Sequence, residues 1–565
     1  MVAGRPAGRS GPTAVVTPGL MDRMALPFQR RSLASRRGAL PGWPRVLYAT
    51  ALLAGLVPIW VSVDLPLVDM PQHLHLISVL HRLEDPSTLY PDLYAARRTL
   101  TPYLGYYYPV HLLSWVVPLE AANRLFLSAY VLGMPLSLAF LLRCFGRQTW
   151  PSLLGLPLAY GDSFGWGFIN FVAALPLTFV TLGLFLRAIE GPAEPRPRVA
   201  AWMGLTLVAV LILHVQAFGF LAFALPWMLF TSRGLQAGAG WRRWLLDRRA
   251  ALLGVTPGVL LFLIWLAMRP SEAPANIEPG APWKAWGATF SSGNMRFASA
   301  EAQLVALPRR LMGLLRDGSD AQLLWGVIAL LLLANVAPRV PGLRSTGAAP
   351  LPGARRRRLA AWGLAVLAFA LYFLTPFDIH GLVYYLSPRF AHIAGPLLIL
   401  AAVPQLSPRG QQLGLVGAAL LVAVMGGVLG RGFVACDRES VPIRELAPLA
   451  GPKPLVMGLI HDRGSEVMRL PVHLHAAATV ARLTGGAPNF SFASTPHSPL
   501  RYRVAPPPTF PSEWRPQQFR FAHQGEAYDA FLLRGSSPGR VFGRRLGRQV
   551  EIVGQREGLW LLRRR

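Results

Sequence analysis

Apolar runs recur along almost the whole chain, each ended by a short polar or arginine-bearing stretch. They cover Val46–Val63, Leu125–Leu142, Leu153–Tyr160, Phe168–Leu186, Trp202–Leu213, Phe218–Phe230, Leu252–Met268, Leu323–Val336, Leu359–Leu374, Ile393–Val403 and Leu413–Leu429. A spanning helix needs about 20 apolar residues, so flanking residues must complete the shorter runs. The pattern predicts a mainly α fold: a polytopic transmembrane helical bundle of about 11 spans. His111–Leu119 reads as a re-entrant or interfacial piece. Residues 1–44 lack any apolar period and read as a disordered basic arm. No cleavage site follows the first run, so it reads as a retained anchor.

Arginine placement orients the bundle. Arg143/Arg147, Arg187/Arg196/Arg198, Arg233/Arg242/Arg243/Arg248/Arg249, Arg339/Arg344/Arg355–Arg358 and Arg409 all fall on one side if the runs alternate. That side is then cytoplasmic, together with the N-terminus. The transmembrane domain occupies 45–434, with a first outer loop at 64–103 and a second at 269–320. The remainder, 435–565, lies outside. Within it Pro454–Ile460, Ala530–Leu533 and Val550–Val553 read as strands. Glu466–Leu483 reads as a helix ended by Gly485-Gly486, and Gln555–Gly558 as a hairpin turn, which makes a small α+β domain.

Composition agrees. Of 565 residues 53% are hydrophobic and only 15% charged, against roughly 25% charged in soluble domains. The net charge of +29 is nearly all arginine, since lysine occurs only at Lys284 and Lys453. Arginines in short loops are topology signals, not a basic groove, so no nucleic acid is expected as a partner. Cys144 and Cys436 fall on opposite sides of the membrane, which excludes a disulfide between them, and their spacing suggests no metal site.

The chemistry concentrates just after the first run, in Asp64-Leu-Pro-Leu-Val-Asp69-Met-Pro-Gln-His73-Leu-His75. Titratable groups at a bilayer edge are costly unless used. Proline favours an early helix position, so Asp69 stands at or near an N-cap, with His73 one turn later. The residues from His73 to Glu84 then read as a helix lying on the membrane surface. Asp69 can cap the helix and still act as a general base, with His73 a further catalytic candidate. Asp64 is the alternative base, but it lacks the following histidine. A base acting beside a phosphate leaving group needs cations, and Arg389, Arg296, Arg309 and Arg310 fall on the same side. Arg389, followed by His392, is the preferred phosphate contact, aided by Arg296 or Arg309. Asp162 reads as a turn residue. His214 reads as a histidine satisfied by a neighbouring helix. His473 and His475 are placed in the C-terminal helix, on different faces.

The Asp69-x-Pro-x-His73 pattern resembles a first-loop motif of the GT-C superfamily of integral-membrane glycosyltransferases, which includes protein mannosyltransferases and lipid A aminoarabinose transferases. Many spans, a large first loop, a long later outer loop and an outward C-terminal domain match as well. The resemblance implies sugar transfer from a polyprenyl-phosphate donor to an outer glycan, lipid or protein acceptor, with the first-loop Asp69 as base. It further implies a multi-pass protein of the bacterial inner membrane, with lipid bilayer and polyprenyl-linked sugar as partners. No cofactor is expected to be required; a divalent metal is possible but not indicated, and metal dependence stays open. Two departures stand: the adjacent Asp-Glu pair of the mannosyltransferases and the Trp-Trp-Asp signature of oligosaccharyltransferases are both absent. A transporter or a non-catalytic envelope assembly protein are the competing classes. A transporter usually shows paired broken helices and internal repeats, and no clear repeat is visible.

Overall fold

The first apolar run does not form one rod. Helix α1 (Trp43–Ala54) stops at Gly55–Leu56, and a single turn, Val57–Trp60, carries the chain onward. Pro58 sits at the start of that turn, where a missing N–H costs nothing. The outer segment opens into α2 (Met70–His81) and β1 (Tyr94–Ala96), then α3 (Leu104–Leu113) and α4 (Leu119–Cys144). The Leu153–Tyr160 run is likewise broken into a 3-10 turn, Trp150–Leu154, and a short helix, Gly155–Ala159. The bundle continues through α5 (Ile169–Glu190), α6 (Arg196–Leu213), α7 (Val215–Thr231) and α8 (Trp241–Met268). Next come β2 (Met295–Arg296), α9 (Ala300–Leu311), α10 (Ser319–Val336), α11 (Ala354–Leu374), β3 (Asp378–Ile379), α12 (Leu386–Ala402) and α13 (Pro408–Leu446).

This computed structural model describes residues 42–190, 196–232, 241–268, 293–345, 353–380 and 383–565. The basic arm and the part of the second outer loop holding Trp283, Lys284 and Trp286 lie outside the described residues. Among those described, α4, α5, α6, α8, α10, α11 and α13 are long and apolar enough to cross a membrane, while α7 and α12 are shorter apolar helices. Leu47–Arg565 forms one unit.

The bundle has two chemically distinct ends. One gathers the arginine-bearing turns: Arg147 donates to the Val403 carbonyl at 3.1 Å, Gln148 to that of Leu406 at 2.7 Å, and Arg357 pairs with Glu190 at 2.8 Å. The other end carries Asp69. Its α2 differs from the expected surface helix. Nine of its twelve residues are buried, including His73 and His75, because the C-terminal domain covers one face while α3 and α4 cover the other.

That domain begins where α13 ends. Its sheet contains β4 (Leu455–Ile460), β5 (Ala487–Pro488), β7 (Ala530–Arg534), β8 (Val550–Arg556) and β9 (Leu559–Arg564) in the order β5-β4-β7-β9-β8. β4 runs parallel to β5 and β7, and β7, β9 and β8 are antiparallel. The β8–β9 turn places Glu557 (φ 44°) and Gly558 (φ 76°) in the left-handed region, as a tight hairpin requires. Helix α14 (Ala476–Thr484) is shorter than the expected Glu466–Leu483. Residues 466–475 run irregularly instead: Pro471 lacks an N–H, and the Arg469 N–H bonds Leu314 rather than a helical carbonyl. His473 and His475 therefore precede the helix. A further strand, β6 (Leu500–Tyr502), leaves the domain to pair antiparallel with β1, joining Tyr94 to Tyr502.

Candidate active site

Asp69 occupies the N-cap position of α2, yet its side chain makes no capping hydrogen bond. The carboxylate points elsewhere: Oδ1 lies 3.3 Å from His475 Nε2. The other nitrogen of that ring, Nδ1, lies 3.0 Å from Glu513 Oε1. His475 is buried. Burial opposes its charge, but the two carboxylates outweigh it and raise the pKa to about 10. With a carboxylate beside each ring nitrogen, the imidazolium is the favoured form. Sequence reasoning missed both partners, which lie about 400 positions beyond Asp69. The sequence pattern placed His475 inside a helix that starts only at Ala476.

His73 has a different task. Its Nε2–H donates to the Gly167 carbonyl at 2.9 Å, and its Nδ1 accepts from the Tyr107 hydroxyl at 2.8 Å. Both nitrogens are occupied, and burial holds the pKa below its ordinary value, so His73 is a neutral strut between α2 and the Trp166–Phe168 turn. That turn presses on Asp69 directly. The Asp69 N–H donates to the Trp166 carbonyl at 3.1 Å. Gly167 adopts φ +83°, and a Cβ there would lie 2.9 Å from the Asp69 nitrogen. Only glycine tolerates both conditions.

Asp64 lies apart. Its carboxylate pairs with Arg444 on α13, and its N–H donates to Asp437 at 2.9 Å. It lines a cleft on the other side of α2, with Met70, Asn123, His473 and Arg482. Asp69 is not among the residues that line this cleft, and Asp64 already holds a cation.

Arg389, in the first turn of α12, is buried. Its guanidinium lies 4.1 Å above the Phe168 ring and 3.2 Å from His214 Nε2, and it donates to the Tyr384 carbonyl at 3.1 Å. Among the described residues its Nε has no partner, and no carboxylate comes within 4.0 Å. A buried guanidinium left without a counter-anion is a site prepared for one. Aromatic rings pack beside this guanidinium. Trp166 and Phe168 stack at 6.1 Å, with Tyr385 against both and Trp514 6.4 Å from Trp166. Tyr103 (φ 79°) and Tyr385 (φ 65°) both adopt the left-handed conformation, which non-glycine residues keep only where surrounding contacts hold it.

The other predicted cations divide. Arg296 sits at the rim, exposed and paired with Asp378 across the β2–β3 contact at 3.1 Å. Arg309 lies exposed in the last turn of α9. Its neighbour Arg310 turns inward to Asp162. That aspartate is far more than a turn residue: it is buried and binds Arg310 at 3.2 Å, Arg469 and the Tyr385 hydroxyl. The cluster ties the short helix Asp162–Gly165, α9, the start of α12 and the C-terminal domain beneath the aromatic wall. Among the described residues no group of three or more His, Cys, Asp or Glu is placed to hold a metal ion.

No family model matches the chain, and no curated protein matches it by sequence. Solved structures do match it in shape. ArnT from Cupriavidus metallidurans, bound to undecaprenyl phosphate, superposes with a TM-score of 0.54 at 13% identity, covering 92% of this chain and 98% of that one. The apo state of the same protein gives 0.55 at 13%, covering 92% and 97%. The mycobacterial arabinofuranosyltransferase AftD gives 0.46 at 14%, covering 93% of this chain and 40% of that one. At nearly full length in both directions, the chain shares the architecture of ArnT.

Proposed function

We propose that this protein moves a sugar from a polyprenyl-phosphate donor to an acceptor outside the membrane, with Asp69 as general base and Arg389 as the donor-phosphate contact. One observation carries the reading. The second carboxylate oxygen of Asp69 takes no hydrogen bond from a described residue, and the buried guanidinium of Arg389 has no carboxylate within 4.0 Å among the described residues. The undecaprenyl phosphate bound to ArnT, a protein of the same fold, supports the donor class.

In this mechanism the acceptor oxygen or nitrogen attacks the anomeric carbon. The bond from that carbon to the phosphate oxygen breaks, and its electron pair leaves with the phosphate. The acceptor proton passes to the open oxygen of Asp69. Arg389 stabilises the departing phosphate through a guanidinium held in place by Phe168 and the Tyr384 carbonyl. The aromatic wall excludes water from the reacting carbon. The arginine-bearing end faces the cytoplasm of a bacterial inner membrane, so the site opens outward.

The test uses purified protein in nanodiscs, a panel of synthetic undecaprenyl-phosphate hexoses and pentoses, and cell-envelope extract as acceptor source. Mass spectrometry follows the undecaprenyl phosphate released. Asp69→Asn should keep undecaprenyl phosphate binding and lose about 100- to 10,000-fold in turnover, the usual cost of removing a general base. Arg389→Lys keeps the charge but loses the planar fork, and should weaken undecaprenyl phosphate binding. Full activity of Asp69→Asn would eliminate the base. Unchanged affinity in both Lys and Ala variants would remove Arg389.

A further inference from the structure

The base is only half supplied by the first outer loop. We propose that His475 and Glu513, both from the C-terminal domain, position Asp69 for proton transfer through a carboxylate–imidazolium–carboxylate chain. This rests on the reading of Asp69 as base and extends it to two residues that never touch substrate.

The geometry divides the Asp69 carboxylate into two unlike oxygens. Oδ1 is held by His475 Nε2 at 3.3 Å, and the second oxygen takes no hydrogen bond from a described residue. One oxygen therefore fixes orientation while the other stays open. The backbone of Asp69 is fixed independently by the Trp166 carbonyl and the close approach of Gly167. With main chain and one oxygen both held, the remaining oxygen has a single direction. Positioning of this kind matters because misplacement by about 1 Å can cost about 100-fold in rate.

Charge explains why two carboxylates are present. An Asp69–imidazolium pair alone would be neutral, and burial penalises an imidazolium with only one partner. Adding Glu513 at 3.0 Å stabilises the cation and leaves the trio with one net negative charge. That charge is available to the incoming proton. The titratable groups facing the His475 ring are Asp69 and His73 from α2 and Glu513 from the C-terminal domain, and Phe492 fills a further side at 5.6 Å. His73 is neutral, with both nitrogens bonded elsewhere. The nearby His473 does not join the chain, because its Nε2 is taken by Glu439 at 3.0 Å.

The chain has a signature in pH that packing alone does not give. The folded pKa of His475 is raised to about 10, above the ordinary value of about 6.5. Its contribution is therefore complete below the unfolded pKa and disappears as pH rises through the folded one. Wild-type turnover should show an alkaline limb near pH 10. In Glu513→Gln the imidazolium loses one counter-charge, and that limb should move down by about one pH unit or more. In His475→Gln the limb should vanish, with turnover about 100-fold lower and undecaprenyl phosphate affinity unchanged. Independently of turnover, wild type in nanodiscs should lose thermal stability relative to His475→Gln between about pH 6.5 and about pH 10.

The outcomes separate the two readings. If His475→Gln and Glu513→Gln keep wild-type turnover and limb while Asp69→Asn is inactive, the positioning role fails and the base stands. If Asp69→Asn is fully active, the base itself fails. A Glu513→Gln protein that loses turnover with an unmoved limb, or melting curves of wild type and His475→Gln that run parallel with pH, overturns the imidazolium chain.

Discussion

Removing the Asp162 carboxylate should destabilise the fold strongly. Asp162→Ala leaves Arg310 and Arg469 without their shared anion, and removes the acceptor of the Tyr385 hydroxyl. Asp162 itself is only 3% exposed, Arg310 16% and Arg469 28%. Breaking a buried ion pair from one side costs about 3–5 kcal/mol. Water reaches part of Arg469, which places the expected loss near the lower bound, at about 3 kcal/mol. Arg469→Ala alone removes one charged hydrogen bond and should cost about 1.5–3 kcal/mol. The double variant should cost less than the two singles together, by about 1–3 kcal/mol, because removing Arg469 relieves the charge that Asp162→Ala strands. Equilibrium unfolding in mixed micelles, followed by tryptophan fluorescence, measures all three. Additivity within about 0.5 kcal/mol would show that the two groups do not act as a pair, and the argument would fail.

Three further outcomes follow from the geometry. Asp64→Asn should cost about 1 kcal/mol or less, since its pair with Arg444 is partly exposed and Arg444 keeps Asp437, and turnover should stay within about twofold of wild type. A dead Asp64→Asn protein beside an active Asp69→Asn would transfer the base to Asp64. Gly167→Ala should lower turnover by about 100-fold at unchanged expression, because the new Cβ meets the Asp69 nitrogen at 2.9 Å and displaces the base; an unaffected rate would mean that Asp69 needs no such seat. Reporter fusions near Val340 should read cytoplasmic and those near Ser440 external, and the reverse at both positions would put Asp69 in the wrong compartment for the proposed reaction.

Much of the architecture was legible because membrane helices announce themselves locally. Hydropathy and arginine placement identified the helical bundle, and the Asp69-x-Pro-x-His73 spacing put Asp69 at the start of α2 from five residues alone. What stayed hidden depended on distant chain. α2 carries an amphipathic pattern suited to a surface helix, and nothing nearby reveals that residues after 470 bury its other face. Asp162 looks like a turn residue because its partners, Arg310, Tyr385 and Arg469, are 148, 223 and 307 positions away. Choosing Arg310 over Arg309 needs the rotation of the last turn of α9, which composition does not specify. The breaks at Gly55–Leu56 and within 150–160 lie inside uniformly apolar runs, where hydropathy sees continuity.

The pairing of β1 with β6 bears on how the protein is made. Arg503 donates to the Tyr94 carbonyl across 409 positions of chain, and the Asp69–His475 contact is nearly as remote. At a synthesis rate of about 5–20 residues per second, the first outer loop waits roughly 20–80 s before its cover emerges. During that interval the apolar face of α2 and the open edge of β1 are exposed to any passing chain. Biogenesis, more than the finished fold, is therefore where this protein depends on outside help, and a chain truncated before Leu500 leaves the loop permanently unpaired.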